Sequence, residues 1–108
     1  MEKVAQAAGG GFLPARGDAL ISTRAIEAPL TIRAWRHGDR MRPAGLDGSK
    51  TLADLFTDNK VPREDRDGIP IVEWGGEIVW VAGLAVGEDF RAEPYESEVL
   101  VLSAKRQR

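Results

Sequence analysis

The sequence predicts a small, mostly antiparallel α+β domain with one main helix. Its 108 residues are enough for one hydrophobic core. Twelve glycines and six prolines favour short strands joined by turns over a helical bundle. Apolar residues recur at helical spacing in one segment and at strand spacing in several others. The sum is about five short strands and one helix, which is an α+β composition.

The first two predicted strands are residues 19–23 and residues 30–35. The second of them alternates between two faces, as a strand does when only one face is buried. The turn signal at residues 27–29, which ends in a proline, lies between the two segments. We therefore expect these strands to be consecutive and antiparallel.

The segment after residue 49 predicts the main helix. Ser49 is placed to cap its first turn. Leu52, Leu55 and Phe56 are spaced i, i+3 and i+4, which makes one apolar stripe. Asn59 is the expected C-cap.

Beyond the helix, the pattern returns to strands. Residues 63–66 predict one helical turn after a proline. Residues 69–73 and 77–82 flank Trp-Gly-Gly at 74–76, and adjacent glycines between β-branched runs predict a hairpin. Residues 98–103 predict the last strand.

Residues 36–49, the basic loop, have no regular pattern. Three glycines and a proline disfavour a helix or a central strand there. A loop of this length in a small domain is often functional. Glycines and Lys50 before the helix resemble a phosphate-binding loop, but the P-loop spacing is absent. What remains is a helix start that favours an anion, which a nucleic-acid phosphate could supply.

The charge is unevenly distributed. The whole chain has a net charge of −2, yet residues 33–66 carry eight basic side chains against six acidic ones. Residues 69–98 carry seven acidic side chains and one arginine. This pattern favours a basic face for an anionic partner and an acidic face that repels it. The alternative is a mixed, solvated surface.

The composition also bounds the domain organisation and the environment. Residues 1–11 predict a linker or a disordered N-terminus, with the appearance of a cut edge of a longer protein. Residues 12–104 are predicted to form the domain, and residues 105–108 are predicted to form a basic tail. The absence of cysteine fits a reducing cytoplasm, and the chain has no membrane-spanning apolar run.

Few residues are placed for chemistry. His37 is the only histidine, and it lacks the ligands that a zinc site requires. No serine lies in a nucleophile elbow. We expect Asp39 to hold the basic loop through hydrogen bonds or an arginine pair. Trp80 is expected in the core, whereas Trp35 is either a nucleic-acid contact or, as we favour, a packing residue.

Five short motifs stand in register. They are Gly-Asp-Arg at 38–40, x-Pro-x-Gly at 42–45, Lys-Val-Pro-Arg at 60–63, Arg-x-x-x-Pro at 66–70 and Trp-Val-x-Gly at 80–83. Through them the stretch from Leu30 to Leu84 resembles the C-terminal domain of bacterial tRNA(Ile)-lysidine synthases. The resemblance covers about half of the chain.

The resemblance implies a β-sandwich-like core and a role in tRNA modification. Enzymes of this family use ATP to adenylate the first anticodon cytidine of a minor tRNA(Ile) and then attach lysine there. Their ATP loop, Ser-Gly-Gly-x-Asp-Ser, belongs to an N-terminal catalytic domain and is absent from these 108 residues. We therefore expect a non-catalytic tRNA-binding module, with ATP and Mg²⁺ bound by the rest of the ligase. The implied partners are tRNA(Ile) near its acceptor stem and the catalytic domain, in the cytoplasm.

The resemblance also suggests roles for particular residues. The expected tRNA contacts, here called the candidate cations, are Arg36, Arg40, Arg42, Lys50, Lys60, Arg63 and Arg66. The residues expected to shape the basic loop are Gly38, Pro43, Gly45 and Gly48. The expected core residues are Leu52, Leu55, Phe56, Ile78 and Trp80. The acidic stretch from Glu88 to Glu98 should lie away from RNA.

Two alternatives remain open. In the first, the domain mediates protein interactions or has a structural role, and its arginines pair with carboxylates of the same protein or of a neighbouring subunit, for example in a homodimer. In the second, the chain is an independent small enzyme. We disfavour the second because no catalytic constellation is evident.

Overall fold

The computed structural model describes residues 2–8, 19–22, 30–93 and 99–106. The strands are β1 (Glu2–Ala8), β2 (Ala19–Ser22), β3 (Thr31–Arg33), β4 (Arg40–Met41), β5 (Lys50–Thr51), β6 (Ile71–Trp74), β7 (Glu77–Val81), β8 (Ala85–Val86) and β9 (Val99–Arg106). The helices are α1 (Leu52–Asp58) and α2 (Arg63–Arg66), and a 3₁₀ turn covers Glu88–Phe90. The α+β class predicted from the sequence is confirmed.

The strands form antiparallel sheets. The four-stranded sheet has the order β3-β6-β7-β8, the three-stranded sheet has the order β1-β9-β2, and β4 pairs with β5. The predicted pairing of the first two sequence segments is therefore wrong, because β2 pairs with β9 and β3 pairs with β6. Pairing with β9 buries Ala19 and Ile21 together with Leu102 in one cluster, which a hairpin of two short strands would not achieve. The turn predicted at 27–29 lies outside the described residues.

Both ends of the chain depart from the expectation. Residues 2–8 form β1 instead of a linker, and β9 extends to Arg106, which lies within the predicted basic tail. The two strands pair from Glu2 opposite Arg106 to Ala8 opposite Leu100. A backbone ladder does not require apolar side chains, so hydropathy gives little indication of such a strand. Pairing also covers an edge of β9 that would otherwise be open.

The predicted hairpin is confirmed as β6 and β7. Gly75 and Gly76 both have positive φ, 59° and 85°, as a tight two-residue turn of this kind requires. A register shift between Val72 and Glu73 marks a bulge in the pairing. The hairpin supplies buried residues to two separate clusters, so it forms the centre of the domain.

One cluster, the sheet-side core, joins the hairpin to β2, β9 and the 3₁₀ turn. It contains Ala19, Ile21, Val72, Val79, Trp80, Phe90 and Leu102. The other, the helix-side core, joins the hairpin to β4 and α1. It contains Met41, Leu52, Leu55, Phe56, Ile71, Ile78 and Val81. All five residues predicted for the core are buried.

The helix begins later than predicted. Thr51 is its N-cap, and its Oγ1 accepts a hydrogen bond from the Asp54 amide at 3.1 Å. Ser49 does not cap the helix because Lys50 and Thr51 are still extended and pair with β4. The C-cap at Asn59 is confirmed, with its Nδ2 donating to the Leu55 carbonyl at 2.8 Å. The helical turn at residues 63–66 is also confirmed as α2. Neither α1 nor α2 is long and apolar enough to cross a bilayer, nor is any other helix in the described residues.

Candidate nucleic-acid interface

The candidate cations are carried by the elements around α1. Arg40 lies on β4, Lys50 lies on β5, and Lys60 immediately follows the Asn59 cap. Arg63 and Arg66 are the first and last residues of α2. Because α1 has seven residues, its axis is only about 10 Å long. The elements at both of its ends are therefore near one another.

One group of candidate cations comprises Arg66, which contacts the Phe56 ring, and two residues close to that contact in the chain, Arg63 and Arg36. The Arg66 guanidinium lies 5.4 Å from the ring centroid, and its Nε donates to the Val61 carbonyl at 3.1 Å. These contacts tie the segment after α1 to the helix. Arg63 is three residues before Arg66, so the two side chains are neighbours on α2. Arg36 directly follows Trp35, which also packs on Phe56.

Trp35 has a structural role in this group. Its indole ring packs against Phe56 in an edge-to-face arrangement, with the ring centroids 5.3 Å apart. Its Nε1 donates to Asp67 Oδ1 at 3.0 Å, and the exposed His37 ring lies 4.8 Å away. Trp35 therefore links β3 to the segment after α2, as the favoured packing interpretation requires.

A second group lies on the β4–β5 ladder. Arg40 Nη2 donates to Ser49 Oγ at 2.9 Å, so the serine expected to cap the helix supports an arginine instead. Arg42 pairs with Asp89 at 3.4 Å, and Lys50 pairs with Asp58 at the end of α1. In the part of the chain that the structure describes, the other five candidate cations form no ion pair.

Glu88, the first residue of the acidic stretch, contacts the basic loop, although the charge pattern favoured separate basic and acidic faces. Glu88 Oε1 accepts from the Gly45 amide at 3.1 Å, and the Glu88 amide donates to the Arg42 carbonyl at 2.8 Å. The bond from Gly45 and the pairing with Arg91 hold the pKa of Glu88 below its ordinary value. Charge counts alone could not show this contact, because it joins residues 43 positions apart.

Asp39 is a hydrogen-bonding centre inside the basic loop. Its two carboxylate oxygens accept from Arg33 Nη1 at 2.9 Å and Arg33 Nη2 at 3.1 Å. The amide of Arg36 donates to Asp39 Oδ2 at 2.7 Å. Burial tends to raise the pKa of Asp39, but the bonds from Arg33 and Arg36 outweigh it, so the pKa lies below its ordinary value. The predicted role of Asp39 in holding the loop is confirmed.

Arg33 is the partner that sequence analysis did not single out. It also donates from Nε to Glu73 Oε2 on β6 at 3.1 Å. The hydrogen bond to Asp39 raises its pKa; desolvation opposes this, and the bond to Glu73 adds to the increase. No local sequence signal identifies this pairing, because it depends on the β3–β6 register, which places Thr31 opposite Glu73 and Arg33 two residues further along.

The loop-shaping residues have the expected backbone. Gly38, Gly45 and Gly48 have φ values of 93°, 84° and 99°, a region that favours glycine. Pro43 is buried and forms an isolated bridge with Gly87. The loop is therefore fixed to the segment after β8.

A shallow apolar groove adjoins the basic loop. Its volume is about 410 Å³, and its lining includes Pro43, Leu46, Lys50, Leu55 and Leu84. The Leu46 residue is 50% exposed. Among the described residues, no group of three or more His, Asp or Glu side chains is placed to hold a metal ion. The 108 residues contain neither the P-loop spacing nor the Ser-Gly-Gly-x-Asp-Ser loop.

The fold and these contacts define a small α+β domain with solvent-exposed cations around one helix. The family model of the TilS substrate C-terminal domain matches residues 30–103. The chain belongs to this family.

Its relatives include whole enzymes that are much longer. The chain is 43% identical over 77 residues to the tRNA(Ile)-lysidine synthase of Caldanaerobacter subterraneus subsp. tengcongensis, an alignment that covers 71% of this chain and 16% of that protein. It is 40% identical over 81 residues to the tRNA(Ile)-lysidine synthase of Symbiobacterium thermophilum, and this alignment covers 75% of this chain and 17% of that protein. The aligned part is thus about one-sixth of each relative.

A solved structure has the same fold. The chain superposes on a crystal structure of a TILS C-terminal domain with a TM-score of 0.82 and 27% sequence identity. The superposition covers 99% of this chain and 85% of that chain.

Proposed function

We propose that this domain is the tRNA-binding C-terminal module of a tRNA(Ile)-lysidine synthase. In this role it holds tRNA(Ile) near the acceptor stem, while an N-terminal catalytic domain modifies the anticodon in the cytoplasm. One observation carries the proposal: five exposed or half-buried cations around α1 have no carboxylate partner among the described residues. The relatives' names as tRNA(Ile)-lysidine synthases supply the identity of the RNA.

The chemistry of these cations suits a sugar-phosphate backbone. Arginine presents a planar fork that pairs with two phosphate oxygens. Arg36 and Arg63 are exposed and have no side-chain bond within the described residues, so their guanidinium groups are available to an anion. Contacts to phosphates position an RNA and carry little base specificity. We therefore expect the domain to read the shape of an A-form stem and not its sequence.

The two paired cations can join this surface at low cost. The Arg42–Asp89 pair is exposed on both sides, at 52% and 67%. Exposed pairs of this kind contribute only about 0–1 kcal/mol. A phosphate can therefore replace Asp89 as the partner of Arg42. In the same way, a phosphate can replace Asp58 as the partner of Lys50.

The ligase chemistry is assigned to the catalytic domain of the whole enzyme. There ATP, with Mg²⁺, supplies the activation of the cytidine. The residues of this chain include neither the P-loop spacing nor the Ser-Gly-Gly-x-Asp-Ser loop. Their proposed contribution is limited to binding and orienting the tRNA.

A titration with a labelled tRNA(Ile) transcript tests the proposal. The double variant Arg36→Gln/Arg63→Gln should bind with lower affinity and a shallower dependence of log Kd on log salt, by about one to two units of slope. The matched control is Lys105→Gln/Arg106→Gln, which changes the net charge equally at residues outside the candidate set. Equal affinity of the wild type and the candidate double variant at low salt would refute the proposal.

A second candidate function is a protein-interaction or structural domain. The Arg42–Asp89 and Lys50–Asp58 pairs favour it, since they show that carboxylates of this chain already satisfy some candidate cations. Size-exclusion chromatography with and without tRNA separates the two functions. A stable homodimer that does not bind tRNA would support the second.

A further inference from the structure

Asp39 stands out among the acids that contact the basic loop or the candidate cations. Asp58 and Asp89 each pair with the side chain of a candidate cation and so neutralise it. The Asp39 side chain instead pairs with Arg33, which is not a candidate cation, and accepts from the backbone of Arg36. It therefore leaves the guanidinium groups of the candidate cations free.

The contacts of Asp39 connect three elements. The bidentate pair with Arg33 attaches the loop to β3, and through Glu73 to β6. The Arg36 amide closes the turn on the Asp39 carboxylate, and the Asp39 amide donates to the Arg36 carbonyl at 3.1 Å. The Asp39 carbonyl accepts from the Leu52 amide at 2.9 Å, at the start of α1. The backbone between Arg36 and Arg40 is thus fixed relative to both the sheet and the helix.

The Arg33–Asp39 pair is well protected from solvent. Both side chains are 13% exposed, whereas Asp58 is 54% exposed and Asp89 is 67% exposed. Solvent and salt screen buried pairs much less than exposed ones. The Arg33–Asp39 pair therefore persists under the ionic conditions in which the pairs of Asp58 and Asp89 exchange.

We propose that Asp39 is a positioning residue for RNA binding, which holds Arg36 and Arg40 in the geometry that meets phosphates. This inference rests on the proposed tRNA-binding function. From charge alone, removing a negative charge beside a polyanion should strengthen binding. The positioning role predicts the opposite, that removing the Asp39 carboxylate weakens RNA binding. Losing the carboxylate releases the turn, and the entropy of ordering the turn must then be supplied on binding.

The test compares three isosteric neutralisations in the full chain. Asp39→Asn should bind the tRNA(Ile) transcript roughly tenfold more weakly than the wild type, with a shallower salt slope. Asp58→Asn and Asp89→Asn make the same charge change and should bind equally well or several-fold more tightly. Asp39→Asn binding as tightly as the other two would overturn the proposal.

A charge-conserving variant tests the same pair without relying on Asp39→Asn being able to fold. Arg33→Lys keeps the charge but cannot form the bidentate pair. It should also weaken binding and reduce the salt slope, and trypsin should cleave the folded variant faster after Arg36 and Arg40. The salt slope is diagnostic because a variant that only lowers stability leaves the slope of its folded fraction unchanged. If Arg33→Lys binds with the slope and affinity of the wild type, the proposal is refuted.

The outcomes separate this inference from the proposed function. If the wild-type chain does not bind the tRNA transcript, both the proposed function and the positioning role are refuted. Wild-type binding that depends on Arg36 and Arg63, but not on Asp39 or Arg33, would refute only the positioning role.

Discussion

The two layers on either side of the β6–β7 hairpin are built for different tasks. The sheet-side core is covered by β2 and β9 and contains no candidate cation. The helix-side core is covered by the short elements β4 and α1, and the candidate cations lie on β4, β5, α2 and the segments that adjoin them. The comparison teaches that one hairpin can support both a layer closed by long strands and a layer bordered by exposed cations.

The layers also differ in how their parts are held. The sheet-side layer uses long backbone ladders, with seven residue pairs between β1 and β9. In the helix-side layer, the two-residue β4–β5 ladder is supplemented by side-chain contacts, such as Arg33–Asp39 and Arg66 over Phe56. Substitutions in the second layer should therefore affect binding as well as stability.

The largest expected effect is that of Phe56→Ala. Phe56 is fully buried and supports both Trp35 and Arg66. Its loss should lower the free energy of unfolding by about 3–5 kcal/mol and weaken tRNA binding by the folded protein. Urea unfolding and tRNA titration measure the two effects.

The control for this substitution lies in the other layer. Ile21→Ala removes a fully buried residue of the sheet-side core and should cost about 2–5 kcal/mol. Its folded fraction should bind tRNA with wild-type affinity. A comparable loss of affinity in both variants would remove the distinction between the layers.

Gly87→Ala tests the junction where the basic loop docks. An added Cβ would lie 2.8 Å from the Ile78 carbonyl oxygen and 3.1 Å from the Phe90 ring. We expect a loss of about 1–3 kcal/mol, measured by urea unfolding. Gly68→Ala is the matched control, because its Cβ would meet only the Asp65 carbonyl oxygen at 3.6 Å. Equal stability of the two variants would contradict the tight docking of Gly87.

Lys60→Gly should separate stability from binding. Lys60 has a φ of 58°, a left-handed conformation that costs a residue with a side chain about 1 kcal/mol. Glycine should relieve this cost, so we expect a gain of about 0.5–1 kcal/mol in the free energy of unfolding together with weaker tRNA binding. Lys60→Ala loses the same cation without relieving the strain and should weaken binding with no gain in stability. A fall in the stability of Lys60→Gly would count against this account.

The smallest expected effect is on acid stability. The pKa of Asp39 is lower in the folded state than in the unfolded state, so its contribution is present above the unfolded value of about 4. It is lost as the pH falls through the lower folded value. The contribution of Asp39 to the urea midpoint should therefore be constant between pH 7 and 5 and decline below about pH 4. The midpoint of Asp39→Asn should consequently fall less steeply below pH 4 than that of the wild type. A difference in slope confined to pH 5–7 would contradict this assignment.

Local patterns in the sequence were reliable where a single element determines them. The apolar stripe of α1, the cap at Asn59 and the Gly75–Gly76 hairpin were all predicted and confirmed. Strand pairing was not, because β2 and β9 meet across about 80 residues of chain and no local signal specifies their register. β1 was missed because its alanines and glutamine have weak strand preference.

In the candidate site, too, local motifs were predictable and contacts between distant residues were not. The motifs identify the candidate cations, and those motifs lie within the residues that the family model matches. Which cations are paired depends on contacts between distant residues, such as Arg42 with Asp89. The cap at Thr51 was misassigned to Ser49 because the two-residue β5 strand gives no periodic signal.

The position of β9 between β1 and β2 limits how far the chain can be trimmed. Both neighbours of β9 precede residue 30, where the family match begins. A minimal fragment of residues 30–103 would retain every candidate cation yet leave most of β9 with two bare flanks. Such a fragment should self-associate through those flanks, so the smallest unit recognisable by homology is smaller than the smallest unit that can stay monomeric.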